Sequence, residues 1–179
     1  MKKLIITALA AISMAASAAD VTGFVSQDYA SRSGAAAYET HLGVIVPTKY
    51  GNLDGAGTYF YNTTSDSGNT NFKGMEFGYS NSFTYEKVKL TGRVAGGVTT
   101  NSYYVLEGEV AYPVFDNTVG YVAYRFRDGT NNKFEPQNRY SIGAEYTFDK
   151  DISGRVGYNY TDTQGYGWNG ATLALAYKF

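Results

Sequence analysis

The sequence predicts an all-β fold: an antiparallel transmembrane β-barrel of ten strands, with eight as the alternative count. Three observations carry that expectation. Apolar and polar residues alternate along most of the chain, the period of strands with one dry face and one wet face. The 179 residues include 18 Tyr, 10 Phe and 21 Gly against 3 Pro and no Cys, a composition that favours short strands and tight turns over helices. The chain also ends on a strongly alternating segment, with Leu173, Leu175, Tyr177 and Phe179 on one face and Thr172, Ala174, Ala176 and Lys178 on the other. A mean hydropathy of −0.30 would suit a water-soluble protein. A barrel strand, however, averages a lipid-facing half with a lumen-facing half, so its mean is low by construction.

Taken from the start, residues 1–19 read as a secretory signal. Lys2 and Lys3 supply the charged end, Leu4 to Ile12 the short apolar run, and Ala16-Ser17-Ala18 an A-x-A cleavage site. The run is too short to span a bilayer comfortably as a helix. Removing it takes two lysines and shifts the net charge from −1 to −3. Residues 20–179 then form one barrel domain.

The strands follow by parity. Val21, Gly23 and Val25 make the weakest outward set. Tyr38, Leu42, Val44 and Val46 oppose Glu39, His41 and Gly43; Leu53, Tyr59 and Tyr61 oppose Asp54, Ala56 and Thr58. Met75, Phe77, Tyr79, Phe83 and Tyr85 oppose Gly74, Glu76, Gly78 and Ser80; Val88, Leu90, Val94 and Val98 oppose Lys89, Thr91 and Arg93. Tyr104, Leu106, Val110 and Tyr112 oppose Glu107 and Glu109; Val122, Tyr124 and Phe126 oppose Arg125 and Arg127. Tyr140, Ile142, Ala144, Tyr146 and Phe148 oppose Arg139, Ser141 and Glu145; Ile152, Val156, Tyr158 and Tyr160 oppose Ser153, Arg155 and Asn159. A weak internal repeat supports hairpin units: residues 83–87 and 90–94 match residues 146–150 and 152–156.

Connectors alternate as well. Residues 48–51, 86–87, 116–117 and 149–150 are tight, while 31–36, 62–71, 128–137 and 161–169 are looser and more polar, with 99–102 a short exception. Ten strands use about 16 residues each, enough for a tilted span and a connection.

A signal segment at one end and a terminal Phe preceded by alternating apolar residues at the other resemble the marks of small bacterial outer-membrane β-barrels of porin-like type. That resemblance covers the whole chain. It implies location in the outer membrane of a Gram-negative bacterium after export through the periplasm; an even strand count then puts both termini in the periplasm. It also implies contact with outer-membrane lipid and lipopolysaccharide, and recognition of Leu173, Leu175, Tyr177 and Phe179 by the outer-membrane assembly machinery. The outward aromatics then read as girdles at the two interfaces, Tyr61, Tyr104, Tyr124, Tyr140 and Tyr160 outside and Tyr85, Tyr112, Tyr146, Phe148 and Phe179 inside. A monomer is the expected state.

With apolar residues outside, the charges fall inside. Hairpin register places Arg93 opposite Glu107 or Glu109, Glu107 opposite Arg125 (or, two residues slipped, Arg127 with Glu109 opposite Arg125), and Glu145 opposite Arg155, a ladder along one wall. Numerous small inward residues, Gly43, Gly78, Gly97, Gly143 and Gly157 among them, favour open volume. The functional expectation is passive diffusion of small hydrophilic solutes or ions through a lumen lined by Arg93, Glu107, Glu109, Arg125, Arg127, Arg139, Glu145 and Arg155. A closed structural barrel, or a surface adhesin or receptor acting through its loops, is the alternative. No enzyme is expected: His41 is the single His, and its same-face neighbours on its own strand are Glu39 and Gly43. Cofactor and metal sites have no candidate residues. The near-neutral charge argues against nucleic acid as a partner.

Overall fold

The computed structural model describes residues 20–64, 68–130 and 135–179. The expected signal segment and the middles of the stretches 62–71 and 128–137 lie outside these residues. Ten strands follow one another: β1 (Thr22–Arg32), β2 (Ala35–Thr48), β3 (Gly51–Thr64), β4 (Gly68–Tyr85), β5 (Val88–Val98), β6 (Ser102–Phe115), β7 (Thr118–Gly129), β8 (Gln137–Asp149), β9 (Ile152–Thr163) and β10 (Tyr166–Lys178). Each pairs antiparallel with its sequence neighbours, and β1 pairs with β10, closing the barrel. Closure leaves no open sheet edge among the described residues. A strand of about 12 residues is about 40 Å long and, tilted by about 40°, rises about 30 Å, enough to cross a bilayer.

The seam is clasped at its end. Thr22 lies opposite Lys178, the Phe179 amide donates to the Val21 carbonyl at 2.8 Å, and Lys178 Nζ meets Asp20 at 2.6 Å. This end also carries the four tight turns at 49–50, 86–87, 116–117 and 150–151. In the first, Thr48 Oγ1 donates to the Gly51 carbonyl at 2.7 Å and accepts from the Tyr50 amide at 3.2 Å.

At the opposite end two connections are tighter than the sequence suggested. Residues 33–34 and 164–165 are two-residue turns within stretches expected to be loose. Gln164 (φ 50°) and Gly165 (φ 81°) are both left-handed, the requirement of the hairpin turn whose twist matches its strands. The strands here continue past the apolar band. Once both faces carry polar residues the alternation fades, although the backbone ladder runs on.

Side-chain parity agrees with the sequence reading except at Val21, expected outward but fully buried at the closing seam, where its carbonyl accepts from the Phe179 amide. Leu173 is 62 % and Phe77 64 % exposed on the outer surface, while Glu39, His41 and Glu76 are buried inside. The protein is thus apolar outside and polar within, the inverse of a water-soluble sandwich.

Candidate functional site: the charged lumen

Hairpin register places neighbours as the turn lengths require: Arg93 opposite Glu107, Glu107 opposite Arg125, and Glu145 opposite Arg155. The ion pairs, however, run across the interior more than along the wall. Arg93 on β5 grips Asp54 on β3 through Nη2 at 2.5 Å and Nε at 3.0 Å, and Glu76 on β4 at 2.8 Å; its approach to Glu107 is 3.6 Å. Arg125 on β7 reaches Glu76 at 3.0 Å rather than Glu107. Arg155 on β9 reaches Glu109 on β6 at 2.5 Å rather than its neighbour Glu145. Arg139 on β8 meets Asp28 on β1 at 2.6 Å, with Glu39 at 3.5 Å.

Arg127 on β7 pairs with Glu39 on β2 at 2.7 Å. These strands are five places apart in a ring of ten, so this pair spans the diameter. Arg127 also takes Gln137 Oε1 at 2.6 and 3.1 Å. Carboxylates from β1–β4 thereby face arginines from β5, β7 and β8. The one-wall ladder expected from sequence is replaced by a mesh of cross-lumen bridges, because a guanidinium on a three-carbon stem reaches past its neighbouring strand once the barrel closes.

Several small inward residues turn out to be sockets rather than open space. A Cβ at Gly97 would lie 2.2 Å from the Tyr103 ring, one at Gly157 2.2 Å from the Tyr121 hydroxyl, and one at Gly78 2.8 Å from Arg93 Nη2. Tyr103 and Tyr121, both buried, fill part of the interior. The Tyr103 hydroxyl donates to Glu76 at 3.1 Å, and Arg155 lies 3.5 Å above the Tyr121 ring. Sequence reasoning missed both tyrosines and Asp28. Asp28 shares parity with Ser26, opposite to Val25, so its inward position was implied by the outward set of β1. Tyr103 is masked by Tyr104 beside it, two adjacent aromatics giving no alternation.

The remaining space is uneven. A vestibule of about 560 Å³ at the turn end, lined in part by Lys89, Glu145 and Lys178, adjoins a central chamber of about 330 Å³. The two share Phe24, Ile45, Asn52, Arg155 and Ala174 in their linings. Toward the other end the space falls to about 70 Å³ beside Glu39, Arg127 and Arg139, and to about 10 Å³ between Arg125, Arg127, Gln137 and Arg139. The waist is therefore the level of the Arg127–Glu39 bridge.

His41 lines the central chamber, next to Glu39. Its Nε2 is buried without a hydrogen-bond partner, 3.5 Å from Glu39 Oε1. Ser26 lies opposite His41 across β1–β2, but with Nε2 unbonded no nucleophile–base pair is assembled through that atom. Asp28, Glu39 and His41 bring ligand atoms within 4.8 Å of one another. Both carboxylates already face Arg127 or Arg139, and those guanidiniums would repel a divalent cation, so the cluster fits a metal poorly.

No protein-family model matches the chain, and no curated protein is significantly similar to it in sequence. Among solved structures, an outer membrane channel from Pseudomonas putida F1 is similar over 90% of this chain and 96% of its own, with a TM-score of 0.61 at 8% identity. The NanC porin is similar over 88% of this chain and all of its own (100%), with a TM-score of 0.51 at 14% identity. The barrel shares its fold with outer-membrane porins and channels. At these identities the likeness is one of backbone architecture, and the lumen chemistry is this chain's own.

Proposed function

We propose that the protein is a narrow porin-like channel of the bacterial outer membrane, passing small hydrophilic solutes or ions through a lumen lined by Arg93, Glu107, Glu109, Arg125, Arg127, Arg139, Glu145 and Arg155. The observation that carries this reading is the pair of adjoining polar chambers, which lead from the turn end to a waist spanned by ion pairs. Polar walls of this kind can hold a hydrated solute, which an interdigitated apolar core cannot. In this reading residues 1–19 direct export, both termini are periplasmic, the outward aromatics meet lipid and lipopolysaccharide, and the final strand engages the assembly machinery.

A closed structural barrel is the second reading, favoured by the bridge from Arg127 to Glu39 across the full diameter. Single-channel recording of the purified protein in planar bilayers separates the two. The channel gives discrete conductance steps, and Arg125→Glu shifts their ion preference toward cations. Silent bilayers over many insertions of folded protein leave the closed barrel.

A further inference from the structure

We infer that the waist prefers zwitterions of amino-acid size, solutes that carry one carboxylate and one ammonium on the same carbon. This rests on the channel reading above and assigns its solute class.

The waist is built as a set of matched pairs, Arg127–Glu39, Arg139–Asp28 and Arg125–Glu76, at 2.7, 2.6 and 3.0 Å. Each arginine side chain and each carboxylate in them is largely withdrawn from solvent. Passing anything through requires at least the diametral pair to open, and the cost depends on what replaces the lost partner. A lone anion satisfies Arg127 but leaves Glu39 with only the more distant Arg139, at 3.5 Å; a lone cation satisfies Glu39 but leaves Arg127 without its carboxylate, held by the neutral Gln137. Stranding one member of a buried pair is the expensive outcome. A neutral solute compensates neither charge fully.

A zwitterion compensates both at once. Its carboxylate takes the bidentate face of the guanidinium and its ammonium takes the carboxylate, so one ion pair becomes two and no charge is stranded. The separation also fits. The two groups of an α-amino acid share one carbon, so a small side chain lets the solute sit between partners that need to part by only a few ångströms. The central chamber of about 330 Å³ on the turn side has room for such a solute before it meets the waist. Nearly balanced charge on the walls adds no bias toward either ion alone.

Four solutes of nearly equal size test this: alanine (zwitterion), lactate (anion), alaninamide (cation) and lactamide (neutral). Uptake of each in labelled form is measured at pH 7 into liposomes carrying the full protein, with uptake by protein-free liposomes subtracted. Alanine is expected to enter about tenfold faster than each of the other three, a difference of about 1.4 kcal/mol in barrier. The double variant Arg127→Gln with Glu39→Gln removes the diametral pair while keeping charge balance, and is expected to bring lactamide up to the rate of alanine. Its folded state is checked by the heat-dependent shift of the barrel band in gels. Lactamide or either ion entering wild-type liposomes as fast as alanine overturns the inference while leaving the channel intact. So does ion conductance with no alanine uptake. Absence of both conductance and uptake overturns the channel reading itself.

Discussion

At the scale of single residues, the interior is a fitted mixture of glycines and large polar side chains. The space beside a glycine already belongs to another residue. A Cβ at Gly157 would lie 2.2 Å from the Tyr121 hydroxyl, with the Ile142 carbonyl farther off at 3.3 Å, whereas one at Gly143 would meet the Val156 carbonyl itself at 2.2 Å. Tyr121 is held by Arg155 stacked on its ring, so it yields reluctantly. Gly157→Ala and Gly143→Ala are each expected to destabilise the barrel by about 1–3 kcal/mol, the range for overpacking. Adding Tyr121→Phe removes the obstructing hydroxyl and should largely rescue the first but not the second. By contrast, Gly92 and Gly108 face outward, opposite one another, with nothing within 4 Å of an added Cβ. Alanine there should change stability by no more than about 0.5 kcal/mol. Urea midpoints in lipid vesicles read all six variants. Equal losses at Gly92 and Gly143 would show that the socket account is wrong. This contrast was hidden in the sequence, where every glycine of a strand looks equally like empty space.

At the scale of elements, the hairpins and the seam each carry a test. The Gln164-Gly165 turn needs left-handed backbone at both positions, and only the second residue is a glycine. Asn tolerates that region better than Gln, so Gln164→Asn should gain up to about 1 kcal/mol, and Gly165→Val should lose about 1–2 kcal/mol. Thermal midpoints of the folded barrel check both signs. At the seam the Phe179 ring covers Gly23, with its nearest carbon 3.1 Å from where a Cβ would stand. It also packs edge-on against Tyr177 at 4.9 Å. Phe179→Ala removes that cover but leaves the Phe179 amide bond to Val21 and the Lys178–Asp20 pair in place. The expected outcome is a small drop in unfolding midpoint for refolded protein, alongside a much larger drop in the membrane-assembled fraction in cells. Equal drops in the two measurements would assign the terminal Phe to packing alone.

At the scale of the whole molecule, the sequence made most of the barrel legible and little of the lumen's pairing. Strand number and facing were readable because the strands have one apolar side and one wet side, so parity repeats around the barrel. Neighbour register was readable because turn length sets it: Arg93 opposite Glu107 and Glu145 opposite Arg155 follow from counting residues. The partners of Arg127 and Arg139 were not, since Glu39 and Asp28 lie 88 and 111 residues away in sequence. Parity says that a side chain points inward but not how far around the ring it reaches. That long-range pairing gives a prediction for the molecule as a unit. Glu39 and Arg127 tie opposite walls together, so Arg127→Glu sets two carboxylates facing across the lumen and Glu39→Arg two guanidiniums. Each single reversal strands like charges in a part-buried interior and is expected to cost about 3 kcal/mol or more. The double reversal restores an opposite pair at the same place and should recover most of that loss, a coupling far larger than surface ion pairs show. Unfolding midpoints of the four proteins measure it directly. Additive losses in the double variant would mean that the two walls are not joined there, and the waist would have to lie elsewhere in the barrel.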